Sequence, residues 1–353
     1  VKAELHKESS VMVTGATGYV AGWIVRRLLD EGFHVHAAVR DPDNHVKVEP
    51  LRELALQRPG TITFFRADLL EEGSYSEAME GCGTVFHTAS PFLLHFRDPQ
   101  KELIEPALRG TRNVLQSVDA TPSVQRVVIT SSCAAIYGDN ADIAEAKGDQ
   151  FSEDDWNTTS SLDHKPYSYS KTLAEQAAWE MCRAQDRWDL VTINPSLVLG
   201  PGVGQHGSSG SFELIGNIGS GKLRTGVPSY PFGAVDVREV AEAHLRAGTD
   251  FSVAGGRYIL SGHNTDLPEI VSILKNHFGK AHPFPCCTLP KWLTWLVAPM
   301  VDKSMTRRLV SRNVGVPAGF NNRKSREQLG IEYRPLEESV VEMFEQMKEL
   351  LDY

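Results

Sequence analysis

Positive charge is in the minority in this 353-residue chain: 36 Lys and Arg stand against 45 Asp and Glu, a formal charge of −9. No long basic run with interleaved aromatics occurs, which argues against a nucleic-acid partner. Cysteine is scarce as well. The five cysteines, at 82, 133, 182, 286 and 287, are an odd count without metal-ligand spacing, and Cys286-Cys287 is not a CxxC. A reducing compartment fits this usage, and the cytoplasm is the expected location. His34, His36, His87 and His206 also lack ligand spacing, so no metal is expected. The polar start VKAELHKESS has no signal-peptide pattern. Long apolar runs are missing too: the densest, KWLTWLVAPM, is too short and proline-interrupted to span a bilayer, which leaves interfacial contact as its one membrane option.

What is present is a rhythm. SVMVTG, HVHAAV, TITFFRADL, TVFHTAS, QRVVITSS and DLVTINPS read as short buried strands, separated by helical stretches such as PALRGTRNVLQSV and SKTLAEQAAWEMCRAQ. Apolar strands alternating with helices imply an α/β fold with a doubly wound parallel sheet of the Rossmann kind. After residue 196 the rhythm breaks into the Gly-rich GPGVGQHGSSGSFELIGNIGSG, and 263 to 353 is mostly helical with Pro-rich joints. The expected organisation is therefore a nucleotide domain of 8–195 plus 232–262. A smaller, mostly helical lobe of 196–231 plus 263–353 would cover the carboxyl edge of the sheet, where ligands of such folds bind.

Between the first strand and its helix, Gly15, Gly18 and Ala21 form G-x-x-G-x-x-A. The glycines permit a tight turn and close backbone approach to a pyrophosphate, while the helix start carrying Thr17, Tyr19 and Val20 offers amides and a positive dipole end. The second strand ends at Arg40, where an NAD site would carry an acid, and Lys47 follows seven residues on. Two cations suit a 2′-phosphate, so NADP(H) is expected; the alternative is a solvated Arg40 with Asp41 turned to the ribose.

PYSYSK, at 166 to 171, sets two tyrosines before one lysine. At about 100° per residue, positions four apart lie about 40° from each other and positions two apart about 200°. Tyr167 and Lys171 therefore share a face, and Tyr169 points away. A cation about 4 Å from a phenol lowers its pKa by about three units before desolvation opposes it, which suits proton transfer to or from an alcohol. In VVITSSCAA, Ser131 or Ser132 ends a strand at the carboxyl edge and can hydrogen-bond a substrate carbonyl. Together with the dinucleotide turn, these groups describe hydride transfer between carbonyl and alcohol.

The segments VTGATGYVAG, VRDPDNHVK, FFRADL, GCGTVFHTASP, VVITSSCAA, SEDDWN, YSYSKTLAEQAAW, INPSLVLGP, VDVREVAEAH and NRKSREQLGIEYRPLEES together resemble the extended short-chain dehydrogenase/reductases. Within them, the chain is similar to the dihydroflavonol 4-reductase-like group, which includes microbial NADPH-dependent aldehyde and ketone reductases. The resemblance implies Ser132, Tyr167 and Lys171 as the catalytic set, with Lys171 also on the nicotinamide ribose. It implies Gly15 and Gly18 at the pyrophosphate, Arg40 and Lys47 at the 2′-phosphate, and Asp68 and Leu69 at the adenine. Thr88 and Ala89 would line the inner cofactor channel, Pro195 and Leu197 the nicotinamide, and Ser211 the phosphates.

Ala21 at the third motif position matches the microbial members. Tyr137 stands where plant dihydroflavonol reductases have an Asn, and Gly233 where they have a pocket Gln. The resemblance therefore implies a less polar pocket for a small-molecule ketone or aldehyde, touched by Phe92, Cys133, Tyr137, Tyr230 and Phe232, in a monomer or homodimer. Three alternatives compete. SSCAAIYG is similar to a sugar-nucleotide epimerase motif, but Leu197 replaces that class's Asn and no Lys or Arg lies between Pro201 and Gly221. Steroid 3β-dehydrogenases generally prefer NAD, and non-catalytic NADP sensors lose the Tyr-Lys pair kept here.

Overall fold

In the computed structural model of the chain, which describes residues 4–6, 9–90, 97–204 and 209–351, strands and helices alternate through the first half. The order is β1 (Ser10–Thr14), α1 (Tyr19–Asp30), β2 (His34–Val39), α2 (His45–Leu56), β3 (Thr61–Arg66), α3 (Ser76–Met79), β4 (Cys82–His87), α4 (Glu105–Ala120), β5 (Arg126–Thr130), α5 (Pro166–Arg183) and β6 (Asp189–Pro195). The second half contributes β7 (Leu197–Leu199), α6 (Gly210–Gly219), β8 (Val227–Pro228), β9 (Pro231–Asp236), α7 (Val237–Thr249) and β10 (Gly256–Leu260). It closes with β11 (His263–Asp266), α8 (Leu267–Phe278), β12 (Thr288–Leu289), α9 (Lys291–Val301), α10 (Arg307–Asn313), α11 (Arg323–Leu329) and α12 (Leu336–Leu351).

Seven strands form one sheet in the order β10-β6-β5-β4-β1-β2-β3, and every pairing in it is parallel. The chain reverses its direction of winding between β1 and β4, which opens a crevice at their carboxyl ends. Strand periodicity distributes the core between two layers. Val11 and Val13 of β1, Val128 of β5 and Val191 of β6 pack on one face with Ile24, Leu28 and Val240 from α1 and α7. Their neighbours Met12, Val127 and Leu190 pack on the other face with Val114, Val118 and Ala178 from α4 and α5. Alternate side chains point to opposite faces, so near-continuous apolar strands are what a sheet covered on both sides requires.

The three-stranded sheet β11-β9-β7 and the pair β12-β8 sit apart from the main sheet. Around them Leu199, Phe212, Ile215, Phe232, Ile270, Leu274, Val340 and Phe344 form a separate core. β10, by contrast, joins the main sheet beside β6, with Leu260 opposite Pro195.

Candidate active site

The turn after β1 explains its glycines. Gly15 has φ +60°, and a Cβ there would stand 3.1 Å from the Cβ of Ala89. Its own amide donates to Ala38 O at 2.8 Å, and Gly18 N returns to Gly15 O at 2.8 Å. Gly18 precedes α1 without a side-chain cap and no acid sits in the first turn, so the helix presents bare amides at the carboxyl edge of the sheet. Thr17 is half-buried there. The side chains of Tyr19 and Val20 face elsewhere: the Tyr19 hydroxyl donates to Gly200 O at 2.6 Å and its ring meets Phe212 edge-on, while Val20 packs on the sheet core. Burial raises the Tyr19 phenol well above its ordinary value. Both side chains are therefore turned toward Gly200, Phe212 and the sheet core.

Thr14, absent from the sequence reading, knits β1 to β4. Its hydroxyl accepts from the amides of Thr88 at 3.1 Å and Ala89 at 3.0 Å and bonds His87 Nδ1 at 3.0 Å, while Thr88 donates back to Thr14 O. Thr88 and Ala89 are thereby fixed beside Gly15. On the far side of the crevice, Arg40 follows β2 and Lys47 lies in the first turn of α2, both exposed. Neither makes an ion pair to another described residue. Asp41 Oδ1 accepts from Asp43 N at 3.1 Å in a local turn. Asp68 accepts from Leu70 N at 2.8 Å, and Asp68 and Arg40 both act on the buried Tyr75, which puts them on one edge. Leu69 packs against the core beside Gly110, Pro195 ends β6, Leu197 begins β7, and Ser211 is buried in the first turn of α6.

The catalytic triplet converges. Pro166 opens α5 directly after Lys165, whose φ of +53° is the one positive value among described non-glycine residues. A left-handed lysine before proline is strained. The Lys165 ammonium donates to Gly138 O and faces the Tyr137 ring, which ties that kink to the loop after β5. One turn into α5, Lys171 Nζ lies 5.9 Å from the Tyr167 ring centroid, as the shared helix face requires. Ser132, extended at φ −164°, is hydrogen-bonded to Tyr167 and accepts from Ala134 N at 3.1 Å. Its neighbour Ser131 turns the other way and donates to the buried Glu175. That division of labour separates the two serines.

The electrostatics correct one expectation. Lys171 was expected to pull the phenol down, yet the protein groups leave Tyr167 pushed up to about 12, with burial as the larger cause and the Ser132 hydrogen bond opposing it. Burial of the phenol disfavours its charged form and here outweighs the lowering contribution. Burial lowers Lys171 itself to about 8, against an opposing pull from Glu175. His87, buried and facing Lys171, is lowered to about 3 and stays neutral.

Glu175, like Thr14, is a residue the sequence reading missed. One turn beyond Lys171, its carboxylate accepts from Asn194 Nδ2 at 2.7 Å, Thr192 Oγ1 at 3.2 Å, Trp179 Nε1 at 3.3 Å and Arg257 Nε at 2.6 Å, besides Ser131. Asn194 in turn donates to Ser132 O at 3.2 Å. Arg257 donates to the carbonyls of Glu153, Asp155 and Ala135 and stacks on Trp156 at 3.8 Å. The i, i+4 spacing from Lys171 was the available signal, but the acid reads as an ordinary helix-surface residue until burial is known.

Of the pocket residues, Tyr137 packs at a tilt on Phe151 and edge-on against Phe320, with ring centroids 4.9 and 5.2 Å away. Burial raises the phenols of both Tyr137 and Tyr230, with Tyr230 adding to the rise at Tyr137, and Phe232 belongs to the second core. Cys133 is buried with Ile136, Phe151 and Phe320, and its thiol donates to Asn194 O at 3.2 Å. Phe92 lies outside the described residues. At Gly233 a Cβ would meet Ser261 Oγ at 2.4 Å and the Phe320 ring at 2.8 Å. The space that a pocket Gln would need at this position is filled by an aromatic ring.

A family model described as the NAD dependent epimerase/dehydratase family matches residues 11–260. Cinnamoyl-CoA reductase CAD2 of Medicago truncatula is 38% identical over 344 residues, covering 96% of this chain and 95% of its own. Anthocyanidin reductase of Arabidopsis thaliana is 35% identical, covering 76% of this chain and 80% of its own. Among solved structures, Gre2 of Candida albicans in complex with NADPH superposes with a TM-score of 0.77 at 30% identity, over 97% of this chain and 99% of that one. Yeast methylglyoxal/isovaleraldehyde reductase Gre2 complexed with NADPH gives 0.76 at 28%, over 97% and 98%.

Proposed function

The chain belongs to the NAD dependent epimerase/dehydratase family, with relatives in the dihydroflavonol 4-reductase-like group, and from that premise we propose an NADPH-dependent reductase of ketones or aldehydes. The observation that carries this reading is the Ser132, Tyr167 and Lys171 cluster at the carboxyl edge of the sheet. The donor set fits the dinucleotide. A Cβ at Gly15 would crowd Ala89, the amides opening α1 are bare, and Arg40 and Lys47 are solvent-facing cations where a 2′-phosphate would sit. Residues 8–195 plus 232–262 are assigned to the cofactor, and 196–231 plus 263–353 to the substrate.

When bound, the dinucleotide supplies the hydride. Ser132 and Tyr167 hold the carbonyl oxygen, and Tyr167 delivers its proton as negative charge develops there. Lys171 keeps its ammonium beside the phenol and holds the ribose. A phenol pushed up to about 12 by burial is protonated at neutral pH, the state a proton donor needs. Tyr137, Tyr230 and Phe232 make an apolar wall for the carbonyl's substituents. Both members of the Tyr-Lys pair are retained, which disfavours a sensor.

The test follows the loss of NADPH absorbance, with NADH in parallel, against aryl ketones, α-keto esters, aldehydes, a dihydroflavonol, a steroid ketone and, because one relative is a cinnamoyl-CoA reductase, a cinnamoyl thioester. NADPH-selective turnover of ketones or aldehydes is expected. Silence with every carbonyl, despite measured NADPH binding, would overturn the assignment.

A further inference from the structure

α9 is built inside out. Of the eleven residues Lys291–Val301, the single buried one is the polar Thr294, whereas Trp292, Met300 and Val301 are 68%, 85% and 81% exposed. Trp295, Leu296 and Val297 are exposed as well. A surface helix normally shows the reverse, with its apolar residues turned to the core.

The polar residues near this patch are mainly of one sign. From Thr288 to Val316 the only acid is Asp302, against Lys291, Lys303, Arg307, Arg308 and Arg312. Arg312 is occupied by Asp139 and Asp142. Lys291, Lys303, Arg307 and Arg308 are exposed, and the Arg307 guanidinium stacks over the Trp295 ring at 4.5 Å. This local excess of cations stands in a chain whose net charge is −9. Among the described residues no helix is long and apolar enough to cross a membrane.

We propose that α9 and the cations flanking it dock the protein on the surface of an anionic lipid bilayer, with Trp292, Leu296 and Met300 entering the headgroup boundary. At about 1.5 Å per residue the helix is about 16 Å long, enough to lie in the interface plane and not to span. Tryptophans and long cationic side chains are the residues that suit that boundary, each with an apolar body and a polar or charged tip. A second copy of the chain docking through the same face would set four cations against four, which disfavours a two-fold contact.

Co-sedimentation of the full chain with phosphatidylcholine vesicles, with and without phosphatidylserine, tests this. Binding is expected with the phosphatidylserine vesicles and should weaken as salt rises. Trp292→Ser combined with Met300→Ser should abolish it. Lys303→Glu or Arg307→Glu should weaken it by at least about five-fold, since each cation near such a surface is worth about a factor of five. NADPH affinity, measured on every variant, should stay unchanged and confirms folding. Absence of sedimentation with phosphatidylserine vesicles overturns the proposal. So does binding indifferent to lipid charge, or a dimer that Trp292→Ser dissociates while vesicles are ignored.

Discussion

Glu175→Gln separates an electrostatic role from a structural one. The carboxylate is buried, opposes the downward shift of Lys171, and neutralises Arg257 at 2.6 Å. Breaking a buried ion pair on one side costs about 3–5 kcal/mol; the carbonyls and the indole that Arg257 keeps argue for the lower end, about 3 kcal/mol. The kinetic effect has a definite sign. Lys171 titrates near 8, so at pH 7 about nine-tenths of it carries charge. Loss of one opposite charge lowers a lysine by about one to three units, and the orphaned guanidinium pushes in the same direction. With a shift of about two units, roughly a tenth stays charged at pH 7, so kcat/KM falls about ten-fold there and recovers at lower pH. The assay is the pH profile of kcat/KM for NADPH-dependent reduction, whose alkaline limb should move to lower pH. Glu175→Gln with Arg257→Met should regain much of the thermal stability and keep the displaced limb. If the Glu175→Gln profile superimposes on the wild-type one after scaling, the coupling to Lys171 is refuted.

Tyr167→Phe removes the proton donor and should cut kcat by at least about a hundred-fold, while a fluorescence titration finds NADPH affinity within a few-fold of wild type. Arg40→Gln removes one of the two cations assigned to the 2′-phosphate; the KM for NADPH should rise about ten-fold and that for NADH should not. Equal changes for both cofactors would reassign Arg40. Gly233→Gln forces a side chain against Ser261 and Phe320, and is expected to cost about 1–3 kcal/mol, read as a lowered Tm, without creating activity on a dihydroflavonol.

The doubly wound parallel sheet, the glycine turn and the Tyr167–Lys171 pair were legible in the sequence because each rests on a local period, while the place of β10 as the sheet's seventh strand was not. Alternation of two assigns strand residues to faces, a spacing of four assigns helix residues to a stripe, and a positive φ calls for glycine. The strand-end position of Ser131 and Ser132 was legible too, but local pattern left open which hydroxyl meets Tyr167, and only the family resemblance pointed to Ser132. That choice is made by Glu175, 44 residues on, which takes Ser131 and leaves Ser132 to the phenol.

Tertiary structure alone decided the remainder. Glu175 meets Arg257 across 82 residues, Thr14 meets His87 across 73, and the Phe320 ring fills the space above Gly233. It also decided the sign of the phenol's shift, since charge can be counted in a sequence but desolvation depends on what packs around the group. α9 shows the same limit from the other side: its composition left interfacial contact open, and the packing of the second lobe is what turns its tryptophans outward. Periodicity is written along the chain, whereas burial is settled by segments that meet only once the chain has folded.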